Sequence, residues 1–260
     1  MLSLSETYGA KGENSRGPAP HGAVAPARLW PVQIIGLIGG MSWESSSVYY
    51  QLLNEGVTER VGGLSSAKSV MASVDFAEVT EMQQAEDWDG VAAVLSRAAQ
   101  AVERAGAEFI VMCTTAFHRV AEQVQASVSV PVLHLADVVA EAAKEHRLES
   151  VGLIGTKFST SRTFFTDRIA SHDLVVRVPT EEQQDTLDRI IYDELVHGKV
   201  TDASRREVIA IIESLWDAGV GGVILGCTEL ELLVKQSDVE LPVFASTSLH
   251  VKAALDRALA

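Results

Sequence analysis

The chain has 260 residues, 47% of them apolar and 22% charged, with a formal net charge of −14. That is enough for one large or two small globular domains. The acidic balance, with no basic stripe, argues against nucleic acid and membrane partners, and no apolar run nears the roughly 18 residues of a membrane helix.

Met1–Trp30, rich in Gly, Ala, Pro and Ser, has neither helical periodicity nor the apolar core of a signal peptide. It is read as a disordered tail, with a transit peptide as the minor alternative. Two cysteines are too few for a disulfide framework or a thiolate zinc site, and a reduced cytoplasmic chain is expected. From Pro31 onward, short β-branched runs alternate with amphipathic segments. The first run, in "VQIIGLIGGMSWESS", ends in glycines. It lacks the spacing and lysine of a nucleotide loop, so Gly39 and Gly40 are read as admitting a small ligand close to the backbone. "AKSVMASV" reads as the next strand, "DWDGVAAVLSRAAQAVERAGA" as a helix and "AEFIVMC" as a third strand.

In "CTTAFH", Thr114 and Thr115 either cap the following helix or line a site. The N–H groups of Thr115, Ala116 and Phe117 at that helix start would welcome a carboxylate. His118, one turn further, is either a support for this turn or a helix-surface histidine, and the surface reading is favoured. In "GLIGTKF", Lys157 is a candidate to hold a substrate carboxylate, although an exposed lysine is the commoner case. "LVVRV" reads as a strand, "TEEQQD" as a solvated helix start and "DASRREVIAIIESLWDAG" as a helix. In "LGCTELELL", Thr228 and Glu231 are spaced as a capping box, and a thiol at that helix start would have a lowered pKa. The bland alternative for Cys227 is a buried thiol ending a core strand. The histidines lack metal-ligand spacing.

The chain also matches itself. "AGAEFIVMCTT" (105–115) aligns without gaps on "AGVGGVILGCT" (218–228), "IGLIGG" (35–40) on "VGLIGT" (151–156), and "VPVLHLAD" (130–137) on "LPVFASTS" (241–248). These near-constant offsets indicate a duplication. Two pseudo-symmetric parallel-sheet α/β lobes with right-handed crossovers are expected, residues 31–130 and 131–246, the first completed by a C-terminal helix at 247–260. A ligand would sit in the cleft at the carboxyl ends of the strands. The match pairs Cys227 with Thr114 and Cys113 with Gly226, so Cys113 is expected to point away from the cleft.

"IGLIGGMSWESS", "SVDF", "AGAEFIVMCTTAFH", "GLIGTKF" and "GVILGCTELELL", in this order, resemble the aspartate/glutamate racemase family, and the broad-specificity amino-acid racemases within it, from about Val32 to the C-terminus. The resemblance implies a PLP-independent amino-acid racemase that needs neither cofactor nor metal and moves the Cα proton between two faces. Cys227 falls on the second thiol position of the family and Thr114 on the first, which is commonly cysteine. Because a hydroxyl is a poor base, asymmetric catalysis is expected. Met41, Ser42, Thr115, Ala116, Phe117, Lys157, Thr228 and Glu229 are the expected substrate contacts. The region "SVDFAEVTEMQQ" carries Asp75, Glu78 and Glu81 where aspartate-selective relatives place a basic residue. Neutral or polar amino acids are therefore as plausible as aspartate or glutamate. A homodimer is expected. The alternatives are a one-cysteine isomerase or decarboxylase, and a lapsed amino-acid-binding protein.

A chain beginning at Pro31 is expected to keep its melting temperature and its turnover. A fall of more than about 4 °C, on the scale of roughly 1 kcal/mol for a domain, would show that the first 30 residues pack on the body.

Overall fold

Each lobe grows from strands that are apolar on both faces, as parallel strands covered by helices must be. All five residues of β1 (Ile35–Gly39) are buried. A computed structural model describes residues 32–161 and 163–260, Ser161 by its main chain only. The expectation for Met1–Trp30 falls outside them. In chain order the first lobe contains β1, α1 (Trp43–Val61), β2 (Ser69–Ser73), α2 (Phe76–Gln84), α3 (Trp88–Arg104), β3 (Phe109–Met112), a 3-10 turn (Ala116–Val120), α4 (Ala121–Ala126) and β4 (Val132–Leu133). Then follow α5 (Leu135–Glu145), β5 (Ser150–Ile154), α6 (Lys157–Ser161), α7 (Thr163–Ala170), β6 (Val175–Arg177) and α8 (Glu181–Asp193). After a 3-10 turn (Leu195–His197) come α9 (Asp202–Asp217), β7 (Val223–Leu225), α10 (Leu230–Leu233), another 3-10 turn (Gln236–Asp238), β8 (Val243–Ala245) and α11 (Ser246–Ala258).

The two sheets have the same strand order, β2-β1-β3-β4 and β6-β5-β7-β8, and every pairing is parallel. This repeats the duplication seen in the sequence. The boundary drawn at 130/131 is corrected: β4 pairs with β3, so the first sheet runs through Leu133. The C-terminal α11 buries Val251, Ala254, Leu255 and Ala258 against Tyr49, Leu53 and the β1–β3 face. On the opposite face, α3 lays down Val91, Leu95, Ala98 and Val102, spaced as one helical stripe. The second sheet is covered by α8, α9 and α10 on one side and by α5 and α7 on the other.

Helix starts are set by local chemistry. Asp87 accepts from Gly90 N, Thr201 from Ser204 N, and Thr180 and Gln183 close a capping box at α8. Gly40, with φ +90°, follows β1 in the left-handed region, where a Cβ would run into the Val74 carbonyl. Among the described residues, no helix is long and apolar enough to cross a membrane.

Candidate active site

In each sheet the chain leaves the first strand toward one neighbour and returns on the other side. The loops therefore part at the carboxyl ends of β1 and β3, and again at β5 and β7, where open parallel sheets bind ligands. The four loops meet in a cleft of about 720 Å³. Met41 and Ser42 enter it from β1, Thr114, Thr115, Ala116 and Phe117 from β3, and Gly226, Cys227, Thr228 and Glu229 from β7. Ser42 caps α1 by accepting from Ser45 N, and Ser45 Oγ lies 3.3 Å from Thr228 Oγ1, joining the lobes at the cleft floor.

The ladders fix which residues face this space. Ile38 is level with Met112, and Ile154 with Leu225. The next amide of each inner strand returns to the same place: Cys113 N donates to Ile38 O at 2.9 Å and Gly226 N to Ile154 O at 2.7 Å. Cys113 and Gly226 are thus equivalent, and one residue on stand Thr114 and Cys227. Cys113 is buried among Tyr49, Leu53, Val251 and Leu255, and that burial pushes its thiol up. Cys227 is half-buried at the cleft and donates from Sγ to Glu229 Oε2 at 2.7 Å.

Four expectations are corrected. The Cys227 pKa is raised, not lowered, by burial first and by the Glu229 carboxylate second; α10, four residues long, has too short a dipole to oppose this. Thr228 and Glu231 form no capping box, because α10 begins at Leu230. Glu231 instead accepts from Thr247 N at 2.7 Å and Ser248 Oγ at 2.8 Å, capping α11. Lys157 does not offer its charge to the cleft: its Nζ lies 2.6 Å from Asp185 and 3.3 Å from Glu181, both on α8. His118 is not on the surface but 3% exposed, and the segment holding it starts as a 3-10 turn in which Thr115 makes no side-chain cap.

Several cleft residues escaped the sequence reading. Ser73 ends β2 and Val74 and Phe76 flank Asp75, which the sequence had marked, while Thr156, Phe158 and Ser159 follow β5; the pseudo-symmetry of the loops was the available signal for both. Ile191, Tyr192, Val196 and His197 form one wall from the end of α8, and no local pattern announced them. Burial, followed by Asp188, Cys227 and Glu229, pushes the Tyr192 phenol up, which keeps it a neutral donor. Trp88 of the first lobe stacks on Phe158 of the second, 5.6 Å between centroids.

Two duplicated parallel sheets that close on a cleft at their paired strand ends define the two-lobed racemase fold. The model of the Asp/Glu/hydantoin racemase family matches residues 38–254, and the chain belongs to that family. A Yersinia pestis structure assigned as an Asp/Glu racemase is 41% identical over 88% of this chain and 100% of its own, with a TM-score of 0.84. An aspartate racemase homologue from Pyrococcus horikoshii is 35% identical over 87% and 99%, with a TM-score of 0.80. The aspartate racemase of Picrophilus torridus, 17% identical over 87% and 94% with a TM-score of 0.68, shares the fold. Family and neighbours together support a racemase-type isomerase.

Glu229→Gln is expected to lower the Cys227 pKa, because it removes the second-largest cause of the upward shift and leaves an acceptor for the thiol. Alkylation by iodoacetamide at pH 8 should then run several-fold faster than in the parent, at Cys227 alone, as read by peptide mass mapping.

Proposed function

We propose that the chain is a PLP-independent amino-acid racemase in which Cys227 and Thr114 serve opposite faces of the substrate Cα. One observation carries this reading: the main-chain bonds Cys113 N to Ile38 O and Gly226 N to Ile154 O make Thr114 and Cys227 equivalent, and both line one cleft from different lobes. The substrate carboxylate would be held by N–H groups at the head of the 3-10 turn, Thr115 to Phe117, and by Thr228. Met41 and Ser42 would close over it from the β1 loop.

The raised thiol pKa means that Cys227 enters the cycle protonated. A substrate ammonium beside Glu229 would offset the carboxylate's repulsion, and the thiol proton would pass along the existing bond to Glu229. The thiolate then takes the Cα proton, while the N–H groups stabilise charge as it grows on the carboxylate. On the other face the Thr114 hydroxyl donates its proton to Cα while water in the cleft relays to it the proton taken up by Glu229, so that neither alkoxide nor hydroxide is left and Glu229 returns to its carboxylate. Glu44, Asp75 and Glu229 border the cleft and Lys157 is held by α8. These charges weight the reading toward neutral polar side chains over aspartate and glutamate.

Cys227→Ala is expected to lose about 10²- to 10⁴-fold in turnover, the usual contribution of an acid–base group. Cys113→Ala should keep its rate and lose only about 1 kcal/mol of stability. A folded Cys113 variant that is inactive beside a working Cys227 variant would overturn the assignment, and an amino-acid panel scored by chiral chromatography supplies the substrate for both.

Thr114→Cys tests the second face. Equilibrium requires equal kcat/KM in the two directions, so asymmetry is read from deuterium entering unconverted substrate in D2O. The parent should exchange one enantiomer fast and the other slowly. The variant should accelerate the slow one by about 10²-fold or more and leave the fast one nearly unchanged.

A further inference from the structure

Behind the Thr114–Thr115 turn lies a set of buried polar groups that the proposed chemistry does not use. His118 is 3% exposed and His250 fully buried. The ring of His118 lies 4.7 Å from that of His134 and 5.8 Å from that of His250. Their protonation follows from their partners. His250 Nε2 faces the Leu133 carbonyl at 2.9 Å, so it carries the proton, and Nδ1 accepts from Tyr49 OH at 3.0 Å. His134 Nδ1 accepts from Ala136 N at 3.1 Å. His118 Nε2 accepts from Leu135 N at 3.2 Å, which leaves the His118 proton on Nδ1. That Nδ1 has no hydrogen-bond partner among the described residues, while the His118 main chain donates to Thr115 O at 3.2 Å and the Thr114 and Thr115 carbonyls act on the ring by favouring its charged form. Burial first, then His134 and His250, hold the ring neutral.

We infer that His118 is the positioning residue for Thr114: its main chain is bonded to the Thr114–Thr115 turn, its Nε2 is bonded to the first residue of α5, and its Nδ1–H is a buried donor held in reserve behind that turn. A buried donor left without a partner is uncommon, and hydrogen bonds at catalytic turns often tighten only once substrate is bound. His118 touches no reacting atom. It acts by limiting where the Thr114 hydroxyl sits, and so it acts on one face of the substrate only. This inference rests on the racemase reading above.

The test uses the full chain and three variants. His118→Phe keeps the ring shape and removes both the bond to Leu135 N and the Nδ1 donor. His118→Asn restores a donor at the Nδ1 position but gives up the bond to Leu135. Thr114→Ala identifies the enantiomer whose exchange depends on Thr114. Deuterium entry into unconverted substrate is followed from each pure enantiomer. A displacement of about 1 Å at a catalytic group costs up to about 10²-fold. His118→Phe is therefore expected to slow exchange from the Thr114-facing enantiomer at least about tenfold, with the Cys227-facing enantiomer within about twofold. His118→Asn should recover most of the loss, and His118→Phe should add nothing in the Thr114→Ala background. Equal losses from both enantiomers, no loss, or an Asn variant no better than Phe would each overturn the inference. Should His118→Phe fail to fold, the Asn variant beside His118→Gln, which restores the Leu135 acceptor instead, decides the same point: Asn must retain Thr114-face exchange better than Gln. A parent that exchanges no amino acid from either face would refute the racemase reading. The clamp is then judged by imidazole ¹⁵N chemical shifts, which must show His118 neutral with its proton on Nδ1; an Nε2–H or charged ring would overturn it.

Discussion

The cleft depends on two main-chain hydrogen bonds, from Cys113 N to Ile38 O and from Gly226 N to Ile154 O. They extend the ladders by one residue beyond Met112 and Leu225. Strand side chains alternate between faces, so a shift of one residue would turn Thr114 and Cys227 out of the cleft and bring Cys113 in. The apolar residues on both sides of these strands resist such a shift, because it would carry Met112 and Val111 into each other's environments, the α3 side and the α1–α11 side.

Once the ladders are set, the environment decides how two chemically similar cysteines differ. Cys113 is closed within the cluster of Tyr49, Leu53, Val251 and Leu255, where burial holds its thiol protonated. Cys227 is also held protonated, but its proton is already shared with a carboxylate 2.7 Å away. The first thiol is enclosed, and the second opens on the cleft beside a carboxylate. On the proposed reading, a cation at the cleft would favour transfer of the Cys227 proton to Glu229.

The lobes are joined by a few contacts around the cleft as well as by the chain. Ser45 meets Thr228, and Trp88 stacks on Phe158. Glu231, on α10 of the second lobe, caps α11, which packs on α1 of the first. The last of these links the Cys227–Glu231 segment to the helix carrying His250. Polar groups are also buried within the first lobe, where Tyr49 bonds to His250 and the His118 ring lies beside those of His134 and His250.

The sequence by itself determined the class of fold, the duplication and the pairing of Thr114 with Cys227. All three follow from periodicity and self-similarity, which are local patterns along the chain. The resemblance to the racemase family added the β1, β3 and β7 loop residues as expected substrate contacts, and the fold brings them to one cleft. The sequence did not determine the state of Cys227, because a helix-start pattern says nothing about burial or about which way Glu229 turns. Lys157 was misplaced for a related reason: its partners Glu181 and Asp185 come from a helix more than twenty residues away. Tyr192 and His197 reach the cleft only because α8 packs beside β5. His118 was read as a surface residue because its neighbours in space, Leu135, His134 and His250, come from α5 and α11, and a chain pattern cannot show that such distant segments converge. Tertiary structure alone decided these points, since burial and charge partners depend on which segments pack together and not on the residues beside them in sequence.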